Sequence, residues 1–300
     1  MKPVSLPLRH ALLALAVVIV WGSNFVVIKW ALADLPPLFF ATLRFTCVAL
    51  PMVFFLKRPK VPWSNLAAYG VLIGAGQFGL LYLAMNKDIS PGLASLVVQA
   101  QVFFTIGLAM FFNKEPIKLY QCLALVIAVV GIVVIGLHAD GTTTTKGILM
   151  ILAAALCWAG GNFFSKRAGS VNMLGYVVWA SLFSVPCLLV LSLTFEGWSA
   201  IEAGLQQSHA TTWFAVVWQA VGNTMFGYGA WAWLLSRHPA ATITPVALLV
   251  PVFGMAASGW WLSEPMPTWK LVAAALVMGG LALNLLWPIV RPKLQRKGVL

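Results

Sequence analysis

The sequence predicts an all-α integral membrane protein: ten transmembrane helices in two inverted five-helix repeats. Three observations lead there. The 300 residues are 61% hydrophobic and only 9% charged, against roughly 45–50% and about 25% in soluble domains. The apolar residues run in continuous stretches close to the roughly 20 residues that cross a hydrocarbon core about 30 Å thick. They do not alternate as the short strands of a membrane barrel would. Finally, motifs of the first half recur in the same order in the second. A soluble enzyme is excluded by the shortage of surface charge, and a disordered chain by the high hydrophobicity.

The predicted spans are 8–30, 37–56, 65–85, 91–112, 117–137, 147–167, 172–194, 211–234, 241–262 and 268–290. The first resembles a signal peptide, because Lys2 and Arg9 precede an apolar run. Its only small-x-small match, Ala14-Leu15-Ala16, falls too early, and the run continues to Lys29, so the sequence reads as an uncleaved helix. Pro36-Pro37 opens the second span, and Pro59 and Pro62 precede the third. Ser90-Pro91 opens the fourth and Glu115-Pro116 the fifth. Gly141, Pro239, Glu264-Pro265 and Pro267 punctuate the second half. Proline in a first helical turn forfeits no hydrogen bond. The segment 196–210 is the one long polar connection and is expected to hold a short surface helix. Cys47, Cys122, Cys157 and Cys187 lie in apolar runs without metal-ligand spacing. No metal or cofactor is expected.

The formal charge of +12 would hint at nucleic acid in a soluble chain. In a membrane chain it is first a topology signal, so no nucleic-acid partner is expected, only the bilayer and a small-molecule substrate. With a cytoplasmic N-terminus, fourteen of the nineteen basic residues fall on the cytoplasmic side. Four (Lys29, Lys87, Lys146 and Lys270) fall on the other, and Arg44 lies inside a span. This bias predicts that both termini are cytoplasmic. The acids lean outward, with only Glu115 inside.

Trp21-Gly22-Ser23-Asn24-Phe25, followed by Lys29, recurs as Trp158-Ala159-Gly160-Gly161-Asn162-Phe163, followed by Lys166. Pro91-Gly92-Leu93-Ala94 leading to Glu115-Pro116 recurs as Pro239-Ala240-Ala241-Thr242 leading to Glu264-Pro265. The offsets are 137–138 and 148–149 residues, so each unit holds five helices, 1–140 and 141–300. Five is odd, and the second unit enters the membrane inverted. Inverted repeats are a transporter architecture with the substrate near the midplane. On these residues the whole chain resembles the drug/metabolite transporter superfamily, specifically its ten-helix EamA-type members. Within them it is most similar to the bacterial YddG-type amino-acid exporters. The resemblance implies a basket of two five-helix bundles in the inner membrane. Spans one, three, four, six, eight and nine would line a central cavity, with spans five and ten packed as a support.

Ionisable groups in hydrocarbon are costly and usually functional, so their absence is informative. No Asp, Glu or His lies in the middle of a span. A facilitator without a dedicated proton carboxylate is therefore expected. Arg44 is either a counter-ion for a substrate carboxylate or an arginine bonded to carbonyls in a wet interior. Lys29 and Lys166 either snorkel to opposite interfaces or gate the two mouths.

Among neutral polar residues, Asn24, Gln77, Gln99, Gln101 and Asn162 lie in spans, where each amide must be paired or wet. Gln99 and Gln101 point about 200° apart on a helix and cannot face one cavity. Asn24 and Asn162 are repeat-equivalent and are expected at the pseudo-twofold interface, as cavity or as interhelical glue. Trp21, Trp158 and Trp179 are too deep for an interfacial belt. They are either cavity wall, stacking on a substrate side chain or ammonium, or core packing. Tyr82 and Tyr228 are candidate gate hydroxyls. Gly70 and Gly74 form a small-xxx-small seam. No catalytic constellation is present in the sequence. The expected function is export of amino acids, aromatic and neutral ones included, and of related metabolites by alternating access. The alternatives weighed are efflux of drugs or nucleotide-linked metabolites, for which several midplane cations would be expected, and a membrane scaffold or membrane-embedded enzyme.

Overall fold

The computed structural model describes residues 6–114, 116–138 and 142–296. These residues are helical, with no strand among them. Lys2, Glu115, Asp140, Gly141 and Lys297 lie outside them, so only the Glu264-Pro265 corner is described. The helices are α1 (Leu8–Ala31), α2 (Pro37–Met52), α3 (Trp63–Lys87), α4 (Pro91–Phe112), α5 (Leu119–Leu137), α6 (Thr145–Arg167) and α7 (Met173–Phe195). Then come a short α8 (Trp198–Gln207), α9 (210–237), α10 (240–261) and α11 (Thr268–Arg296). Spans eight, nine and ten of the sequence are thus α9, α10 and α11.

Eight of these helices are long and apolar enough to cross a membrane, and α2 is a shorter apolar helix. The tenth, α9, is equally continuous but carries Gln219, Asn223 and Thr224 along its middle. Outward-facing side chains such as Leu123, Val126, Val130 and Val133 of α5 are exposed, as hydrocarbon-facing residues are. The polar 196–210 connection holds α8, whose Ile201 is buried.

Two helices change their turn in mid-course. Residues Leu72–Gly79 of α3 and Gln219–Phe226 of α9 form π-helix, with i→i+5 bonds. Residues Val98–Ala100 of α4 and Thr244–Leu248 of α10 tighten to 3₁₀ turns. The third and fourth spans of each half are therefore interrupted in the same way. Packing repeats as well. α1 packs on α10 and α9, as α6 packs on α4 and α3. α2 packs on α7 and α9, as α7 packs on α2 and α3. α4 meets α10, and α5 meets α11 along its length. Moving five spans along the chain converts each contact into another of the set.

Lipid tails are as apolar as leucine, so helix association relies on close backbone approach. Gly70 and Gly74 supply it between α3 and α7: a Cβ on Gly70 would strike the Ala180 carbonyl, and one on Gly74 would strike Ser184. The Ser184 hydroxyl donates to the Gly70 carbonyl at 2.7 Å. Gly131 sits against Ala273 and Val277 of α11, and Gly280 against Ala124 of α5.

Loops after α1, α3, α7 and α10 lie on one face and carry Asp34, Asp88, Glu196 and Glu264. We call this the acidic face and the opposite one the basic face. The acids bind there. Glu196 accepts from the Leu38 and Phe39 backbone N–H groups at 2.7 and 3.0 Å, capping α2. Glu264 accepts from the Gly92 N–H at 3.0 Å and the Ser90 hydroxyl at 2.5 Å, capping α4, and from Lys270 Nζ at 2.9 Å. Asp88 accepts from Thr144 and Lys146, and Asp34 from Thr212 and His209. Negative charge at helix starts is favourable because the first N–H groups have no intrahelical partner.

Candidate polar site within the membrane

The deepest charge is Arg44, in α2 and 1% exposed. Its Nη1 donates to the Tyr82 hydroxyl of α3 at 2.9 Å, and its Nη2 to Thr224 Oγ1 of α9 at 3.4 Å. The guanidinium lies 3.6 Å from the ring centre of Phe78, with Phe45 at 5.1 Å. Tyr82 is held in turn by stacking on Phe40, centroids 4.8 Å apart. Arg44 Nε and Gln77 Oε1 are buried without a hydrogen-bond partner among the described residues. α2 thus inserts its cation between the two π-helical stretches: Phe78 lies within one, Tyr82 just beyond it, and Thr224 within the other.

A second cluster adjoins it. Gln219 Nε2 donates to Asn24 Oδ1 at 2.8 Å, and both residues are buried. The Trp21 indole donates to the Asn223 carbonyl at 3.3 Å and packs against Tyr228 and Trp231, at 5.7 and 5.2 Å. A Cβ on Gly227 would strike the indole nitrogen, so the glycine makes room for Trp21. Thr224 Oγ1 also donates to the Gln219 carbonyl at 2.9 Å, a bond that joins the two clusters. The carbonyl it reaches is five residues back, as the π geometry allows.

The other half has its own pair: Asn162 Nδ2 donates to Gln101 Oε1 at 3.1 Å. Asn24 and Asn162 therefore do not meet each other. Each bonds an amide of a neighbouring helix. Gln99 is buried in the 3₁₀ turn, and Trp158 is half-buried against the main core. Trp179 belongs elsewhere: its indole donates to the Leu56 carbonyl at 2.8 Å and its ring packs near Trp63, so it pins the loop after α2 at the basic face. Lys29 lies in the last turn of α1, at the acidic face. Its Nζ donates to the Met85 and Asn86 carbonyls at 3.0 and 2.9 Å, occupying the C-terminal end of α3. Lys166 is exposed at the end of α6.

Sequence reading missed the centrality of Thr224 and Phe78. The available signal was the i, i+4 pairing of Gln219 with Asn223 beside Gly222 and Gly227, which places polar groups on one crowded helix face.

The six helices expected to line a cavity pack as two groups, α1 with α9 and α10, and α3 with α4 and α6. Among the described residues, the side-chain hydrogen bonds made directly between these groups, or between one group and the loop of the other, are Lys29 to the end of α3 and Glu264 to the start of α4. Both lie at the acidic face. At the basic face, His10 bonds His238 (2.7 Å) and Asn65 bonds the Phe164 carbonyl (3.0 Å), each within one group. A crevice of ≈ 460 Å³, lined by Lys29, Trp30, Asp34, His209 and Thr212, opens at the acidic face. Asp34 in it is held below the usual carboxylate range, chiefly by the Thr212 hydroxyl. Burial opposes this and His209 assists it.

Comparison with known proteins places this architecture. The chain is 39% identical over 286 residues to a protein of Salmonella typhimurium (strain LT2) named "Probable amino-acid metabolite efflux pump", covering 92% of this chain and 94% of the relative. It is 38% identical, with the same coverage, to a protein of that name from Escherichia coli (strain K12). It is 26% identical over 254 residues, 82% of this chain and 80% of the other, to the "Uncharacterized inner membrane transporter YedA" of Escherichia coli (strain K12). A solved crystal structure, 18% identical, superposes with a TM-score of 0.65 over 92% of this chain and 95% of its own, which shows a shared fold. The pattern of the EamA-like transporter family is found twice, over residues 8–137 and 145–286. Matched along nearly its whole length, this chain belongs to the EamA-like transporter family.

Proposed function

We propose that this protein exports amino acids and related small metabolites across the bacterial inner membrane by alternating access. Its two units, 1–140 and 141–300, are inverted repeats, and both termini are cytoplasmic. The acidic face is then periplasmic. The carrying observation is the position of Arg44: one helix holds a buried cation between the π-helical stretches of two others, where Tyr82 and Thr224 supply polar contacts. Buried polar groups on lining helices mark substrate pathways in membrane proteins. The relatives named as amino-acid metabolite efflux pumps support the substrate class. The doubled family match and the contact pattern that repeats every five spans support the inverted duplication.

In this reading the substrate carboxylate meets Arg44. The amides Gln77, Asn24 and Gln219 hold other polar atoms, and Trp21 and Tyr228 wall the side chain. Transport runs down the substrate's electrochemical gradient without a proton-carrying carboxylate. The test is counterflow in proteoliposomes with a panel of labelled amino acids and amino-acid metabolites, with and without a pH gradient. Saturable exchange of at least one panel member is expected. No exchange with any of them would overturn the substrate class. Strict dependence on the pH gradient would overturn the facilitator mechanism.

A further inference from the structure

We infer that the preferred cargo carries a net single negative charge: an amino acid whose carboxylate is intact and whose amine is acylated, leaving an uncharged N–H. This rests on the export reading above and deepens it.

Arg44 is 1% exposed, and its hydrogen-bond partners, Tyr82 and Thr224, are neutral. Its flat face rests 3.6 Å from the Phe78 ring centre. No Asp or Glu lies within any of the spans to offset it; the described acids Asp34, Asp88, Glu196, Glu202 and Glu264 are in loops, helix ends or the short α8. The protein groups at Arg44 therefore sum to a formal charge of +1, eased by an aromatic face and two hydroxyls. A guanidinium matches a carboxylate better than an aromatic ring does, because its N–H groups form a planar fork. One of those donors, Nε–H, is buried and has no partner.

Cargo charge then sets the charge of the loaded site. A zwitterion leaves it at +1, a cation raises it to +2, and a monoanion brings it to zero. Carrying net charge through a low-dielectric interior is costly, so the monoanion is favoured. An ammonium would find no carboxylate. An acylated amine needs only a neutral acceptor, and the neutral hydroxyl oxygens of Tyr82 and Thr224 lie at the guanidinium. The same charge supplies a driving force. An inside-negative membrane potential pushes a monoanion outward, which removes the need for a proton relay in a chain that has no mid-span acid or histidine.

The experiment uses the full chain in proteoliposomes with three labelled probes: phenylalanine, N-acetylphenylalanine and phenylalaninamide. The expected order of transport is acetylated anion, then zwitterion, then cation, with about a tenfold or greater step between the first two. An inside-negative potential should drive net efflux of the anion against its gradient and should not do so for the zwitterion. Arg44→Gln should abolish the preference, and Arg44→Lys should retain part of it. If Arg44→Gln fails to insert, the wild-type ranking and its response to potential decide the matter alone. Transport of phenylalanine equal to or better than its acetylated form would overturn the inference and leave the export reading standing. So would a preference that survives in Arg44→Gln. Transport of none of the three, nor of any amino acid or metabolite in the counterflow panel, would overturn both.

Discussion

Gln219 Nε2 donates to Asn24 Oδ1 at 2.8 Å, joining α9 to α1 through two buried amides. Removing either partner strands the other away from water, at about 1–3 kcal/mol for an unsatisfied buried group. Asn24→Ala should therefore lower the thermal unfolding midpoint in detergent and reduce counterflow, while the chain still inserts. The double variant with Gln219→Leu should recover part of the stability lost, because neither amide is then left unpaired. Additive losses in the double variant would show that the pair is not coupled.

Gly227 lies under the Trp21 indole, whereas Gly229 faces open space. Gly227→Ala should displace the ring, break its bond to the Asn223 carbonyl, and reduce transport severalfold with a shift in tryptophan fluorescence. Gly229→Ala should leave transport and fluorescence near wild type and slightly favour the helix, since alanine is the better helix former.

Asn162 and Gln101 form a second amide pair, between α6 and α4. Asn162→Ala should impair counterflow without preventing membrane insertion, and Trp158→Ala is expected to do the same. Unchanged transport in both variants would remove them from the substrate path.

Glu264 and Lys270 pair at 2.9 Å with side chains 7% exposed each. Breaking a buried pair from one side costs about 3–5 kcal/mol. Glu264→Gln keeps its hydrogen bonding to Ser90 and Gly92 in part but leaves Lys270 uncompensated. It should raise the rate at which a cysteine placed at Ser90 is labelled by a membrane-impermeant thiol reagent from the acidic face. Lys270→Met in the same background should restore much of the protection. Equal labelling in all variants would show that the pair does not hold that face.

Asp34 is kept below the ordinary carboxylate value of about 3.9, first by the Thr212 hydroxyl. A depressed value in the folded state means that its stabilisation is fully present above the unfolded value and is lost as pH falls through the folded one. The unfolding midpoint should therefore be insensitive to Asp34 from neutrality to about pH 5 and should fall at lower pH. Thr212→Val should flatten that fall. A difference between wild type and variant that fails to shrink as pH falls below about 4 would contradict the assignment.

The course of the ten apolar helices is legible in the sequence, because apolar run length, proline at helix starts and the spread of lysine and arginine are local signals. The Trp21–Asn24 and Trp158–Asn162 stretches do fall in equivalent helices. Partner choice is less legible. Asn24 bonds Gln219 and Asn162 bonds Gln101 because α9 and α4 present those faces, and helix rotation depends on packing rather than on local sequence. Trp179 shows the same limit: its depth in the chain resembles that of Trp158, yet it holds the Leu56 carbonyl at the basic face. The π-helical turns of α3 and α9 escape detection because glycine-rich stretches such as 70–79 also serve plain close packing. Arg44 was legible as a deep cation, but its lack of an acidic neighbour becomes meaningful only once Tyr82, Thr224 and Phe78 surround it.

Asp34, Asp88, Glu196 and Glu264 each fasten a neighbouring helix start or loop on one side of the molecule. Opposite them, the cross-links include an imidazole pair, neutral amide, phenol and indole groups, and Arg58 stacked on Trp63. The two ends of the permeation path are thus fastened by different chemistry. Ionic strength acts on charged groups far more than on amides. Added salt should loosen the carboxylate-fastened end, so the side to which it is added becomes an experimental handle on which way the carrier opens.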